Sequence, residues 1–208
     1  MNLMSRIPTM TERGQKSQRI QLFQSDRLEQ LTFISPRTFV IVWSVLLPLI
    51  AWTGWGHTDL MHTIGITVAG LAIWGVTEYS LHRYLFHWKV QWPPMRFVVF
   101  LIHGNHHASP NDPMRNLMPL VVSLPIAFAV WAGSRAFLGP EGAFLALGFL
   151  TGYVIYDTIH YACHQVRLNT GWFNTLKPHH MRHHYVDEGR NFSISVIFWD
   201  RVFGTKIP

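Results

Sequence analysis

The chain has 208 residues, 49% of them hydrophobic and only 13% charged, with a formal net charge of +6. A soluble domain carries about a quarter charged residues, so much of this chain must avoid water in another way. Its one cysteine, Cys163, excludes an internal disulfide and any cysteine-based zinc or iron–sulfur site, and no basic run or nucleic-acid motif accompanies the positive charge.

Residues 1–36 are polar, with Arg6, Arg13, Lys16, Arg19 and Arg27 spread among Gln, Ser and Thr, and no apolar h-region marks a cleaved signal peptide. They are expected to form a cytoplasmic N-terminal segment ahead of a membrane-embedded domain at 37–208. Within them, 21–31 reads as a short amphipathic helix at the membrane surface or as plain tail. Four stretches then read as membrane helices, at 39–55, 63–80, 117–134 and 143–156. Crossing takes roughly 20 apolar residues, so the first three just qualify and the fourth does so only by running on into Asp157 and His160. Gly148 and Gly152 form a small-xxx-small pair, and Gly65, Gly70 and Gly75 recur in the second stretch; both patterns permit close helix packing in lipid. The apolar run at 97–102, behind Pro93 and Pro94, is too short to span and reads as an interfacial or buried helix start. The fold class is therefore all-α: a multi-pass membrane protein of about four helices. Two buried hairpins of a soluble bundle are the alternative.

Orientation follows from the lysines and arginines. Only Arg135, between the third and fourth helices, departs from one side; the other 16 of the 17 precede helix one, separate helices two and three, or follow helix four. Both termini and the middle segment are expected to face the cytoplasm, and the positive charge is a topology signal.

Ten of the 13 histidines fall into four clusters on that same side: His82 and His87, then His103, His106 and His107, then His160 and His164, then His180, His183 and His184. His-x-x-His-His sets imidazoles at i, i+3 and i+4, on one helical face, and His160 and His164 are likewise aligned. His82 and His87, five apart, stand roughly 140° around an ideal helix. The helix should end or bend between them, or the two should serve different metals. Neutral imidazoles crowd together favourably only around a metal, and ten of them suit two ions with about five ligands each. Imidazole accepts iron, zinc, copper or nickel alike. Closed structural zinc takes four ligands and usually cysteine; a dense His-only site beside a bilayer fits O2 activation by two irons better. Tyr153, Asp157, His160 and His164 form one stripe, so Asp157 is expected to accept a ligand ring N–H; Glu78, one turn before His82, is expected to do the same. His57, His62 and His179 are read as ordinary histidines.

In order and surroundings these clusters resemble the fatty acid hydroxylase superfamily (sterol desaturase/fatty acid hydroxylase), most closely the fatty acid 2-hydroxylases. The matching text is EYSLHRYLFH (78–87), HGNHHASPNDPMR (103–115), YDTIHYACH (156–164), HHMRHHY (179–185) and WDRVFGT (199–205). The resemblance implies a membrane-anchored helical bundle whose cytoplasmic cap holds a dimetal centre, with the ten clustered histidines as metal ligands. It departs at Gln165, where a second histidine is frequent, at 191–194, where a glycine is common in the third position, and in a fused cytochrome b5 domain that many members carry. The implied cofactors are two metal ions, iron with zinc as an occupant on isolation, and O2 as co-substrate. The implied partners are a lipid acyl substrate, the membrane and a separate electron donor, cytochrome b5- or ferredoxin-like with a reductase; nucleic acid is excluded. A bacterial inner membrane is preferred over an endoplasmic reticulum.

The function expected is O2-dependent hydroxylation of an unactivated acyl C–H bond, at C2, with no residue acting as nucleophile. Trp74, Phe86, Phe100 and Tyr153 are candidate walls for the acyl chain. The rivals are a related sterol or carotenoid hydroxylase or desaturase, a non-catalytic metal-handling membrane protein, and a membrane scaffold whose histidines sense pH.

Overall fold

The computed structural model describes residues 19–167 and 170–208, and every regular element among them is helical. The amphipathic reading of 21–31 shrinks to five residues, α1 (Asp26–Gln30). Four long helices follow: α2 (Pro36–Trp52), α3 (Leu60–Ser80), α6 (Leu120–Leu138) and α7 (Gly142–Gln165), with the short α4 (Pro93–Val99) and α5 (Asn105–Ala108) between α3 and α6. Two further helices, α8 (Phe173–Tyr185) and α9 (Phe198–Val202), follow α7.

Local chemistry explains where the boundaries differ from expectation. α2 starts three residues early because Ser35 accepts the Thr38 N–H and Pro36 sits at the first helical position. α3 starts early because Asp59 caps it by accepting the His62 N–H at 3.0 Å. α6 starts late because Met118 N–H is committed to Asp157 and Pro119 precedes the first turn. α7 does run on through Asp157 and His160, reaching 24 residues.

α7 is the central element, packing most extensively on α3 and also against α6 and α2. Glycine sets its closest approach. A Cβ on Gly148 would collide with the Thr67 carbonyl, and one on Gly70 with the Leu145 carbonyl. Gly65, by contrast, has open space beside it. Phe39, Trp43, Trp74, Leu150, Tyr153 and Tyr156 fill the interior between the long helices. Ring centroids there lie 5.1 Å apart for Trp43–Tyr153 and 5.6 Å for Trp74–Tyr153.

The outward faces stay apolar: Val40, Ile41, Val45 and Leu49 on α2, Ile64 and Val68 on α3, and Ile126 and Phe128 on α6 are exposed. A soluble bundle rarely shows so continuous an apolar exterior. Two helical stretches among the described residues are long and apolar enough to cross a membrane, Leu60–Phe86 and Leu120–Gln165, and the second folds back on itself at Gly139–Glu141. Residues 19–34 lie over the loop after α5: Arg19 pairs with Asp112 at 2.9 Å, Arg115 pairs with Glu29, and Ile34 N–H donates to the Met114 carbonyl.

Candidate metal centre

The histidine pair five apart is resolved by a change of helix type. From Leu81 to Phe86 the α3 helix continues as a π-helix, whose i→i+5 bonds widen the turn, and it ends at His87. Side chains five apart then meet: the His82 and His87 rings lie 5.1 Å apart. The expected bend takes this form, and the alternative in which the two face different sites does not hold. A second π turn, Phe100–Gly104, precedes α5 and carries His103.

The ten clustered histidines gather into two groups of five. His82, His87, His103, His107 and His183 form one; His106, His160, His164, His180 and His184 form the other; within each, the ligating atoms lie within 4.8 Å of one another. Each group takes one two-histidine cluster, the i and i+4 members of one His-x-x-His-His, and the i+3 member of the other. The triads therefore do not present one face to one site; each straddles both. His107 and His184 stack at 4.2 Å where the groups meet.

The nitrogens fit metal ions. In the first group Nε2 separations are 3.1 Å for His82–His103, 2.9 Å for His103–His107 and 3.2 Å for His107–His183. In the second they are 2.9 Å for His106–His160, 3.1 Å for His106–His184, 3.0 Å for His180–His184 and 2.8 Å for His164–His180. Nitrogens held at ~2.1 Å and at right angles around one ion lie about 3.0 Å apart, against about 3.4 Å for a tetrahedral pair. The spacing lets one ion reach the nitrogens of each group.

Tautomers lead to the same fit. The Nδ1 atoms of His82, His160 and His183 meet the carbonyls of Phe192, Asn116 and Arg190, the latter two at 3.0 and 2.7 Å. A ring that donates from Nδ1 has only a lone pair at Nε2, so these three rings present Nε2 lone pairs to the interior of their groups, where a cation could accept them. Burial, reinforced by neighbouring imidazoles, holds His103, His106, His180, His183 and His184 well below the ordinary histidine pKa, and His87 is brought down to about 3. Those six rings are thus held in the neutral form, which is the form that can bind a metal.

Neither expected carboxylate touches a histidine. Glu78 Oε1 accepts the N–H groups of Ile194 and Ser195 at 2.9 and 2.8 Å, and its Oε2 accepts the Ser195 hydroxyl. Asp157 Oδ2 accepts from Met118 N and Tyr153 OH, each at 2.9 Å. Both therefore hold backbone segments whose carbonyls, at Phe192 and Asn116, meet the His82 and His160 rings. The carboxylate that does face a ring is Glu188, whose Oε1 lies 3.4 Å from His107 Nδ1.

His179, read as ordinary, is buried and bonded at 2.9 Å to Asp200. Asp200 also accepts the N–H groups of Phe192 and Ser193 and the Thr205 hydroxyl. Burial raises the Asp200 carboxyl, but these donors outweigh it and its pKa lies below the usual value. Asn191, at φ 56°, is the one left-handed non-glycine residue among those described; its amide bonds the His179 carbonyl and the Ile207 N–H. Ser193, the position where a glycine is common, has no left-handed backbone. Gln165 ends α7 and joins neither group. His57 and His62 lie at the far end of the bundle, beside the N-terminus of α3. Among the proposed acyl-chain walls, Phe86 stacks on His103 at 5.0 Å, whereas Trp74 and Tyr153 belong to the interior packing.

Two cavities reach the histidines. One, about 50 Å³, lies between Phe86, Leu101, Leu117 and Met118 and touches His103, His106 and His160. The other, about 690 Å³, is mixed in lining, reaches His87 and His184, and is bordered by Arg83, Lys89 and Glu188 as well as Val186 and Phe192.

A family model described as fatty acid hydroxylase matches residues 67–205. The dihydroceramide fatty acyl 2-hydroxylase FAH1 of Arabidopsis thaliana is 33% identical over 204 residues, covering 95% of this chain and 82% of that protein. The fatty acid 2-hydroxylase of Rattus norvegicus is 31% identical over 91% of this chain, which spans 57% of that relative's length. A solved structure described as full-length scs7p, with only the hydroxylase domain visible, has a TM-score of 0.82 at 29% identity, covering 90% of this chain and 72% of that one.

Proposed function

Because the chain belongs to the fatty acid hydroxylase family, we propose that it is a membrane enzyme hydroxylating a lipid acyl chain at C2, in an O2-dependent reaction. The observation that carries this reading is the pair of five-histidine groups with inward-facing Nε2 atoms. His82, His87, His103, His107 and His183 would hold one ion, and His106, His160, His164, His180 and His184 the other. Two redox-active ions bound there, which we take to be iron, would supply the oxidising chemistry, with O2 and two electrons as its inputs.

The chain's own residues do the rest. The Phe192, Asn116 and Arg190 carbonyls fix ring orientation, and Glu78, Asp157 and Asp200 hold the segments that carry or adjoin them. Phe86, Leu101, Leu117 and Met118 form the apolar side of a small cavity beside His103, His106 and His160. No side chain serves as nucleophile.

The four long helices α2, α3, α6 and α7 are assigned as spans, with the N-terminal segment 1–36, the domain at 37–208, both termini and the histidines on the cytoplasmic side. The positive charge of the loops and the exposed apolar belt support this. Electrons come from a separate reductase-linked donor. The names of relatives support an acylated lipid, dihydroceramide or ceramide, as substrate. Mass spectrometry of saponified lipids from aerated cells tests the reading. A 2-hydroxy fatty acid made by the intact chain and not by His183→Ala supports it; identical profiles, with the donor and reductase supplied and expression verified, reject it.

A further inference from the structure

The cavity of about 690 Å³ is lined by one histidine from each group, His87 and His184. In the first group His87 alone is partly exposed, the other four rings being buried. Its imidazole edge therefore joins the buried ligands to the surface.

Two cations stand on the rim of that cavity. Arg83 is held in place: Nη1 donates to the Tyr79 hydroxyl at 2.9 Å, and the guanidinium lies 5.1 Å from the Tyr84 ring centroid. Lys89, two residues beyond His87, is exposed. The two acids of the same lining are already engaged, Asp187 lying 3.5 Å from Arg190 and Glu188 facing the His107 ring. Arg83 and Lys89 have no carboxylate at ion-pair distance among the described residues. Tyr84 and Tyr185, 61% and 64% exposed, share the rim with the exposed Val186. Exposed tyrosines and an apolar residue beside unpaired cations are the make-up of a protein-docking surface.

The reaction indicates what docks. Hydroxylating one acyl C–H takes one O2, two electrons and two protons, and yields one hydroxyl and one water. A carrier protein giving one electron per visit is oxidised twice in each turnover, O2 is reduced, and the protons come from solvent. The carrier must leave between visits, so its contact is small and guided by charge, as redox encounters are. Unpaired cations around the opening select a partner with an acidic face.

We propose that the mouth of this cavity is the docking surface for an acidic one-electron carrier protein, with Arg83 and Lys89 meeting its carboxylates and His87 lying beneath its redox centre. This rests on the acyl-hydroxylase reading above. An anionic lipid headgroup is the competing occupant, and kinetics separate the two.

Rates of 2-hydroxy product are measured against carrier concentration at saturating lipid. The carriers are two acidic proteins, a soluble cytochrome b5 and a plant-type ferredoxin, each with its reductase. Lys89→Glu should raise the KM for the carrier about tenfold, with kcat and the lipid KM within about twofold. Dithionite, a small reductant that needs no docking surface, should drive the unaltered chain and Lys89→Glu alike. Arg167→Glu makes the same charge change beyond the end of α7, away from this cavity, and should leave the carrier KM within about twofold. A carrier KM unmoved by Lys89→Glu, an equal rise with Arg167→Glu, or a rise in the lipid KM alone overturns the proposal. So does turnover with dithionite but with neither carrier. Should Lys89→Glu fail to fold, carbodiimide coupling of the unaltered chain to each carrier decides. A cross-link at Lys89 supports the surface, and cross-links confined to Lys177 or Lys206 overturn it. If no reductant yields 2-hydroxy product, the acyl-hydroxylase reading fails and the proposal falls with it.

Discussion

Asp157 accepts the backbone N–H of Met118 at 2.9 Å, two residues beyond the Asn116 carbonyl that meets His160 Nδ1 at 3.0 Å. Glu78 stands in the same relation to the other group: it holds Ile194 and Ser195, two and three residues beyond the Phe192 carbonyl that meets His82. Each carboxylate comes from a long helix and ties down a segment outside it, so the bundle orients the His160 and His82 rings at one remove.

That arrangement predicts different outcomes for removal and for conservative replacement. Asp157→Ala leaves the Met118 N–H buried without an acceptor, a cost of about 1–3 kcal/mol, and frees the Asn116 carbonyl to drift. Metal affinity should fall roughly 10–100-fold, as for other groups that orient ligands. Asp157→Asn keeps an accepting oxygen and should retain most of the metal. Metal analysis of the purified variants, after a brief chelator challenge, distinguishes the two.

His183 and His184 are sequence neighbours assigned to different groups. His183→Ala should weaken retention of one ion and His184→Ala of the other, each abolishing hydroxylation. The double variant should lose both ions on chelator challenge yet be no less active than either single one, since activity needs the pair. Ion counts per chain check this; loss of both ions from each single variant would contradict two separate groups.

The α3–α7 crossing gives a stability test free of the site. Gly148→Ala pushes a methyl into the Thr67 carbonyl and should cost about 1–3 kcal/mol, whereas Gly65→Ala, with open space beside it, should be near neutral. Thermal unfolding in detergent, at matched metal content, reports both.

Acid response follows from the lowered histidine values. For His87, brought down to about 3 by burial, the unfolded chain takes up a proton near 6.5 while the folded chain does not. Unfolding is therefore favoured as pH falls, and the metal-free fold should lose stability progressively from about pH 6.5 toward 3. Above pH 6.5 this contribution is fully present. Chemical denaturation of the metal-free protein across that range checks the sign.

Much of the site was legible along the chain. The ten histidines stand in four spaced clusters, and helical spacing alone brings His160 to His164. The pairing of His82 with His87 was not legible, because nothing in HRYLFH distinguishes a π turn from an α turn. The division of each His-x-x-His-His between groups also depends on how α5 and α8 approach each other across the site. His179, Asp200 and Asn191 escaped notice for a related reason: their bonds join separate segments, as in His179 to Asp200, 21 residues apart. The buried aspartate in WDRVFGT was the available signal. Four long helices stand where four membrane helices were expected, two of the described stretches being long and apolar enough to cross, and their ends shift by a few residues where Ser35, Asp59 and Pro119 set the first turn.

The most direct test of the central claim is isotopic. Cells expressing the chain, with a reductase-linked donor, are grown under 18O2, and the released 2-hydroxy fatty acids are weighed by mass spectrometry. The account predicts one 18O atom in the C2 hydroxyl, present with the intact chain and absent with His183→Ala. A hydroxyl carrying oxygen from water, or labelled product made equally by the histidine variant, would contradict it.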